Sequence, residues 1–303
     1  MEQFHFIISE ELEDERLDKA VAELSEGGIS RSFLQKRIRE EQVFVNHRPE
    51  KASYRLKCGD TVNFDIPDRT VPEILPENIP LDILYEDEDV IVVNKPKGMV
   101  VHPAAGHYSG TLVNALLYHC NGQLSDLNGM MRPGIVHRID KDTTGSVIAC
   151  KNNDAHQNIA EQLKNHSVVR KYRAVCCGVL KDDEGTVSGL IGRDEKNRKK
   201  MSVHVRNGKP AVTHYRVLRR FKDCTYIECQ LETGRTHQIR VHMSSIGHPL
   251  LGDSVYSHRK WKYETGGQVL HAYLLGFRHP ASGAYIETEA PLPEYFEKLL
   301  TVL

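Results

Sequence analysis

Along the chain, segments with clear apolar periodicity alternate with segments that are almost wholly polar. Between Glu15 and Leu24, the residues Leu17, Ala20, Val21 and Leu24 recur at helical spacing and predict an amphipathic helix that stops at Gly27-Gly28. Ser30 is placed to cap a second helix. In it Phe33, Leu34 and Ile38 face inward, leaving Arg31, Lys36, Arg37 and Arg39 on the other side. Val43-Phe44-Val45-Asn46 and Asp60-Thr61-Val62-Asn63-Phe64 read as strands, with a turn at His47-Arg48-Pro49. Pro67, Pro72, Pro76 and Pro80 then punctuate an acidic stretch without periodicity. Prolines so closely spaced exclude both helix and central strand, so 67–80 is expected to be a semi-rigid linker between two domains, 12–66 and 81–303.

Beyond Leu81 the pattern changes. Val90-Ile91-Val92-Val93 is a nearly continuous apolar run, as in a strand buried on both faces. Further strands are expected at Ile83–Tyr85, Val147–Cys150 and Arg170–Val175, with a hairpin pairing Tyr215–Leu218 and Thr225–Cys229. Thr111–Tyr118 reads as a helix with Leu112, Ala115 and Leu116 on its apolar face. Asp154 is expected to cap another, lined by Ala155, Ile159, Ala160 and Leu163. Gly189-Leu190-Ile191-Gly192 reads as a β-turn. Thr236 can cap a helix that places His237, Arg240 and Ser244 along one side.

Charge adds what periodicity does not. The net charge is only −1, but it is segregated. Eight Lys and Arg face three Glu between Arg31 and Lys57, and eleven face two acids between Ile191 and Lys222. Basic patches on a neutral whole are what binding to a phosphate backbone needs. The seven Cys residues are scattered, with no C-x-x-C spacing, which argues for reduced thiols and against a disulfide framework or a zinc site. No apolar run approaches ~18 residues, so no membrane span is expected, and the N-terminus lacks the basic-then-apolar order of a signal peptide. The cytoplasm is the expected location.

The densest chemistry lies in Pro133-Gly134-Ile135-Val136-His137-Arg138-Ile139-Asp140-Lys141-Asp142-Thr143-Thr144-Gly145. An apolar lead with a polar end reads as a strand delivering side chains to its rim, with Arg138, Asp140 and Asp142 sharing one face. A carboxylate beside cations suits a nucleophile or charge-stabilising group better than a general acid.

The string HRIDKDTTG resembles the signature of the ribosomal large-subunit pseudouridine synthases of the RluA/RluD type, with Ile139 where Leu is usual and Ser146 where a large apolar residue is usual. Asn94-Lys95-Pro96-Lys97-Gly98-Met99-Val100-Val101-His102-Pro103 and Thr233-Gly234-Arg235-Thr236-His237-Gln238-Ile239-Arg240-Val241-His242, followed by Gly247, Pro249 and Gly252-Asp253, extend the likeness over about Leu81–Pro291. Arg16-Leu17-Asp18, Ser30-Arg31, Val43-Phe44-Val45-Asn46 and Lys57-Cys58-Gly59-Asp60 resemble the small αL-type RNA-binding domain.

The resemblance implies an α+β protein: an αL-type domain, then a catalytic domain built on a mixed, mostly antiparallel sheet with flanking helices. It implies isomerisation of uridine to pseudouridine in structured RNA, most naturally large-subunit ribosomal RNA or its assembly precursor, by base flipping. It implies neither metal nor organic cofactor, and no obligate protein partner. It assigns Asp140 as the carboxylate at the anomeric carbon, forming an adduct or balancing positive charge, Tyr172 as the residue beneath the uracil and a candidate to move the proton, and Arg240 as the cation paired with Asp140. Arg138 would enter the stack near the vacated base, and His137 would touch the RNA backbone. Arg31, Lys36, Arg37 and Arg39 would grip RNA by shape and phosphate contacts.

Three rivals remain in the letters alone. Asp140-x-Asp142-x-Thr144 also matches the D-x-D-x-T of haloacid-dehalogenase-like phosphotransferases, although His137-Arg138 intrudes where that family expects an apolar strand. A zinc hydrolase using His237 and His242 would need them on one helix face, which a five-residue spacing does not provide. A non-catalytic RNA-binding or ribosome-assembly protein would suit the basic patches equally well.

Overall fold

The computed structural model describes residues 2–24, 31–66, 74–104, 107–129, 131–195, 197, 200–203, 205–257 and 261–303. It divides into two compact units, Met1–Val71 and Pro72–Leu303.

In the first unit, a four-stranded antiparallel sheet in the order β1-β4-β2-β3 is built from β1 (Glu2–Ile7), β2 (Val43–Val45), β3 (Arg48–Pro49) and β4 (Thr61–Ile66). It packs on α1 (Leu17–Leu24) and α2 (Arg31–Arg39). The helical periodicity is what the core uses: Leu17, Ala20 and Val21 from α1 and Leu34 and Ile38 from α2 meet Val43, Val45, Val62 and Phe64 from the sheet, all buried. The stop at Gly27-Gly28 and the Ser30 cap lie outside the described residues.

The second unit is organised on a ten-stranded sheet. Its strands are β5 (Ile83–Glu86), β6 (Val90–Lys95), β7 (Thr144–Cys150), β8 (Val169–Cys177), β9 (Glu184–Arg193), β10 (Met201–Val203), β11 (Lys209–Arg220), β12 (Cys224–Leu231), β13 (Leu270–Arg278) and β14 (Tyr285–Glu289). The order runs β10-β9-β11-β12-β8-β13-β7-β6-β5, with β14 also on β13. Every pairing is antiparallel except that of β13 with β7. That seam spans two residue pairs, His271 with Thr144 and Ala272 with Gly145. Gly145 has φ +105°, and a Cβ there would sit 2.2 Å from the Ala272 carbonyl oxygen, so only glycine permits the approach.

The helices α3 (Leu112–His119), α4 (Asn153–Lys164), α5 (Gln238–Ser245) and α6 (Glu294–Val302) complete the unit. The apolar run of β6 has two destinations, as a strand covered on both faces requires. Ile91 and Val93 join a core with Leu112 and Leu116 of α3, whereas Val90 and Val92 join Ala155 and Ile159 of α4.

Several expectations need correction. The stretch 137–143 is a loop, and the strand begins only at Thr144. The alternation in 137–142 is one of charge, with no apolar face to press onto a sheet. Asn152, not Asp154, caps α4, its side-chain oxygen accepting from the Ala155 amide at 2.8 Å. His237, not Thr236, stands at the N-cap of α5, with φ +56° and no side-chain cap bond. Gly189–Gly192 lies inside β9, paired with β11. Within the expected linker, residues 74–80 are tied to the second unit: Asn114 of α3 donates from its side chain to the Leu75 carbonyl and accepts from the Glu77 amide at its own carbonyl.

Candidate active site

Three sheet-borne segments converge on one pocket. The loop before β7 brings Arg138, Ile139, Asp140 and Thr143; β8 brings Tyr172; and the turn from β12 into α5 brings Arg235, His237 and Arg240. Tyr172 is buried, with Ile139, Leu231 and Leu270 extending an apolar wall beside it. The pocket is thus apolar on one side and charged on the other.

Asp140 is held from below. Its Oδ2 accepts from Arg240 Nη1 at 2.8 Å, and its side chain is 19 % exposed. Arg240 is buried and is itself clamped by Asp253, which accepts from Nε at 2.7 Å and from Nη2 at 2.9 Å. Asp253 also accepts from the amides of Val255 and Tyr256. Burial works against the Arg240 charge, but the two carboxylates outweigh it and push its pKa above the ordinary value. The guanidinium is therefore a fixed cation whose last free edge is turned on Asp140.

Around this chain the supports are dense. The Tyr256 ring lies 5.3 Å from the Arg240 guanidinium carbon, and its hydroxyl is 3.0 Å from His237 Nδ1. His237 Nε2 stands 3.8 Å from Asp140. Burial lowers the His237 pKa against the pull of Asp140, favouring the neutral ring. Gln238 ties the turn together, its Oε1 accepting from Thr233 and from the Arg235 amide while its amide donates to Val212 and Thr213. On the opposite side, the buried ammonium of Lys95 donates to the carbonyls of Pro96, Met99 and Lys141, pinning the Asp140 loop. Burial pulls that ammonium down to about 7 against the attraction of Asp142 and Asp140.

The residues singled out from sequence fall into different settings. Asp140, Tyr172, Arg240 and Arg138 meet at the pocket. Asp142 does not; it packs where a Cβ on Gly267 would meet it at 2.7 Å. Arg138 is exposed and donates to His102 at 3.2 Å, with burial and the cations Arg138 and Arg132 lowering His102 to about 4. His137 lies beside the groove, but its Nε2 accepts from the Ile148 amide on β7 at 3.1 Å, and burial with nearby Arg170 lowers its pKa to about 3. It is a neutral tether for the loop that also lines the groove, where contact with the RNA backbone was expected. His242 is buried on Thr213, away from the pocket, so the pair His237 and His242 holds no metal geometry. Among the described residues only Asp87, Asp89 and His279 cluster as metal ligands could, and His279 Nδ1 already accepts from the amides of Ala281 and Ser282 while Nε2 lies 2.7 Å from Asp87.

In the first unit, Lys36 and Arg39 are exposed. Arg31 pairs with the buried Asp18, and Arg37 donates to the Asp65 carbonyl. Sequence reasoning gave no role to Asp253, Lys95 or Arg170. The first two sit in strings already noted, but nothing in their spacing points to a partner across the chain.

Comparison with known proteins converges on one family. Residues 89–245 match the model described as RNA pseudouridylate synthase, and residues 15–62 match the S4 domain. A Bacillus subtilis protein named as an uncharacterized RNA pseudouridine synthase is 53% identical over 300 residues, covering 99% of this chain and 98% of its own. Proteins named ribosomal large subunit pseudouridine synthase D are 45% identical in Zymomonas mobilis, covering 98% and 96%, and 44% identical in Pseudomonas aeruginosa, covering 97% and 93%. Among solved structures, human RNA pseudouridylate synthase domain containing 4 superposes with a TM-score of 0.57 at 27% identity, over 73% of this chain and 92% of that one.

Proposed function

The chain belongs to the RNA pseudouridylate synthase family, and from that premise we propose that it converts uridine in large-subunit ribosomal RNA at the pocket around Asp140. Pseudouridine synthesis breaks the bond from uracil N1 to ribose C1′ and makes one from C5, with the C5 proton passing to N1 in balance. No electrons are gained or lost. The carrying observation is the ordered row Asp253, Arg240, Asp140, which aims one ionisable oxygen pair into a pocket walled by Tyr172.

In this reading Asp140 acts at the ribose or the base, Arg240 keeps it aimed, and Tyr172 stacks beneath the uracil. Arg138, a planar cation on the exposed side of the pocket, fills the space the base has left. The S4 domain raises affinity through Lys36 and Arg39, with Arg31 and Arg37 holding the surface that carries them. Large-subunit RNA is favoured because relatives spanning nearly the whole chain carry that substrate in their names, and the cytoplasm is then the place of action.

The test is to incubate the purified chain, chelator present, with unmodified large-subunit RNA and with total transfer RNA, and to map pseudouridine at nucleotide resolution. Sites are expected in the large-subunit RNA and are expected to vanish with Asp140→Asn, a loss of at least about 10³-fold. Sites confined to transfer RNA would overturn the substrate; unchanged activity in Asp140→Asn would overturn the residue.

A further inference from the structure

Beside the Asp140 pocket runs a groove between the end of α4 and the turn into α5, and its charge is one-sided. Lys164, Arg170, Arg235 and Arg138 line it, and Asp140 is the only carboxylate among the described residues that do. Three of these cations are ordinary rim residues. Arg170 is not.

Arg170 is only 7 % exposed, yet no carboxylate lies within ion-pair distance of it among the described residues. Its single hydrogen bond is a 3.2 Å donation from Nη2 to the Glu232 carbonyl, and its buried Nε has no partner. A buried guanidinium left this way is destabilising unless something compensates it. Burial depresses the Arg170 pKa against a pull from Tyr172, with Arg235 adding its repulsion. The surroundings also make room for it: a Cβ on Gly234 would come within 2.6 Å of Nη1, so glycine is what lets the guanidinium lie in the groove. Arg170 is two residues before Tyr172 on β8, on the same buried face of the strand.

We infer that Arg170, with Arg235, forms a phosphate subsite that takes the RNA backbone phosphate adjoining the nucleotide held at Asp140. This rests on the pocket at Asp140 being the site of reaction. An anionic, doubly accepting phosphate oxygen pair matches the planar fork of a guanidinium and supplies the missing counter-charge. Arg170 is then a positioning residue: it fixes the ribose through its own phosphate and never touches the uracil.

The probe is a single-stranded oligouridylate, which enters the groove without an unpairing cost. Its affinity for the full-length chain is measured by fluorescence anisotropy across a salt series, for wild type, Arg170→Gln and Arg170→Lys, with melting temperatures alongside. Arg170→Gln is expected to bind about 5–10-fold more weakly and to flatten the slope of log affinity against log salt by about 0.7, the value for one single-strand phosphate. Arg170→Lys should keep the slope, because the charge remains, while losing part of the affinity. Should Arg170→Gln fail to fold, wild type is tested with oligouridylate carrying neutral methylphosphonate linkages against the Lys variant, which should then discriminate less between the two probes. A lowered melting temperature with an unchanged slope would reduce Arg170 to a structural support and overturn the subsite. The pseudouridine mapping is read separately, so a flattened slope without modified uridine would keep the subsite and discard the reaction.

Discussion

Each unit contains a buried ion that aligns the partners around it, and the two have opposite signs. In the S4 domain it is Asp18, wholly buried, which accepts from Arg16 at 2.9 Å, Arg31 at 3.0 Å and Gln35 at 2.7 Å. In the catalytic unit it is Arg240, donating to Asp253 and Asp140. The partners of Asp18 reach the surface, with the side chains of Arg16 and Arg31 39% and 51% exposed. The pocket-facing partner of Arg240 is a half-buried carboxylate. The lesson is one of division of labour. A charge too costly to bury alone is buried with its partners, and the exposed partner gains a fixed direction it would not hold on a free side chain.

The comparison breaks most visibly when either anchor is removed. Asp253→Asn should cost the catalytic unit about 3–5 kcal/mol, because it leaves Arg240 half-paired in the interior, and should slow isomerisation about 100-fold by loosening Asp140. Asp18→Asn should cost the S4 domain a similar amount and weaken RNA binding, with the rate at saturating RNA unchanged. Peptide-resolved amide hydrogen exchange, together with single-turnover rates, separates the two. Loss of catalytic rate in Asp18→Asn would show that the anchors are not independent.

Acid should distinguish them next. Burial and nearby cations keep His102 neutral by lowering its pKa to about 4. The unfolded chain therefore binds the extra proton between about pH 6.5 and 4, and the stability from the neutral ring is complete above that window and lost as pH falls through it. Burial would raise the Asp18 pKa, but the hydrogen bonds from Arg16, Gln35 and Arg31 dominate and hold it below the usual carboxylate range. Its contribution is present above the ordinary carboxylate pKa near about 4 and is lost only in stronger acid. Exchange in the catalytic unit should rise first as pH falls from about 6.5 to 4, His137, lowered to about 3, adding to His102, with fluorescence of the sole tryptophan, Trp261, following it. A simultaneous transition in both units would refute this ordering.

The smallest expected effect belongs to exposed cations that no buried ion holds. Lys36→Ala with Arg39→Ala should change stability by less than about 1 kcal/mol, since surface pairs such as Lys36 with Glu40 at 3.7 Å contribute little. The salt dependence of RNA binding should nevertheless fall by about 1.5 in slope. An unaltered slope would move the RNA grip elsewhere on the S4 domain.

Much of this was legible in the chain, for reasons that also mark where legibility ends. Local periodicity located α1, α2, α3 and β6, because a helix face or a doubly covered strand writes its burial into consecutive residues. Asp140 and Arg240 could be named from the strings around them. The clamp of Asp253 on Arg240 could not, since the three residues meet across as many as 113 positions and only packing brings them together. The loop at 137–143 was misread as strand because period-two charge imitates a pleat. The bond from the Ile148 amide to His137 was equally hidden, since nothing in the letters around His137 points to a partner on β7.

The seam between β7 and β13 bears on how the molecule comes into being. β13 ends at Arg278, yet it lies between β7 and β8, which are complete by Cys177. During synthesis the edges of β7 and β8 that face β13 stay open while about a hundred further residues are added. Only then can Leu270 take its place in the pocket wall. The pocket at Asp140 is therefore among the last parts of the sheet that the growing chain can complete, because one of its walls waits for a strand of high sequence separation.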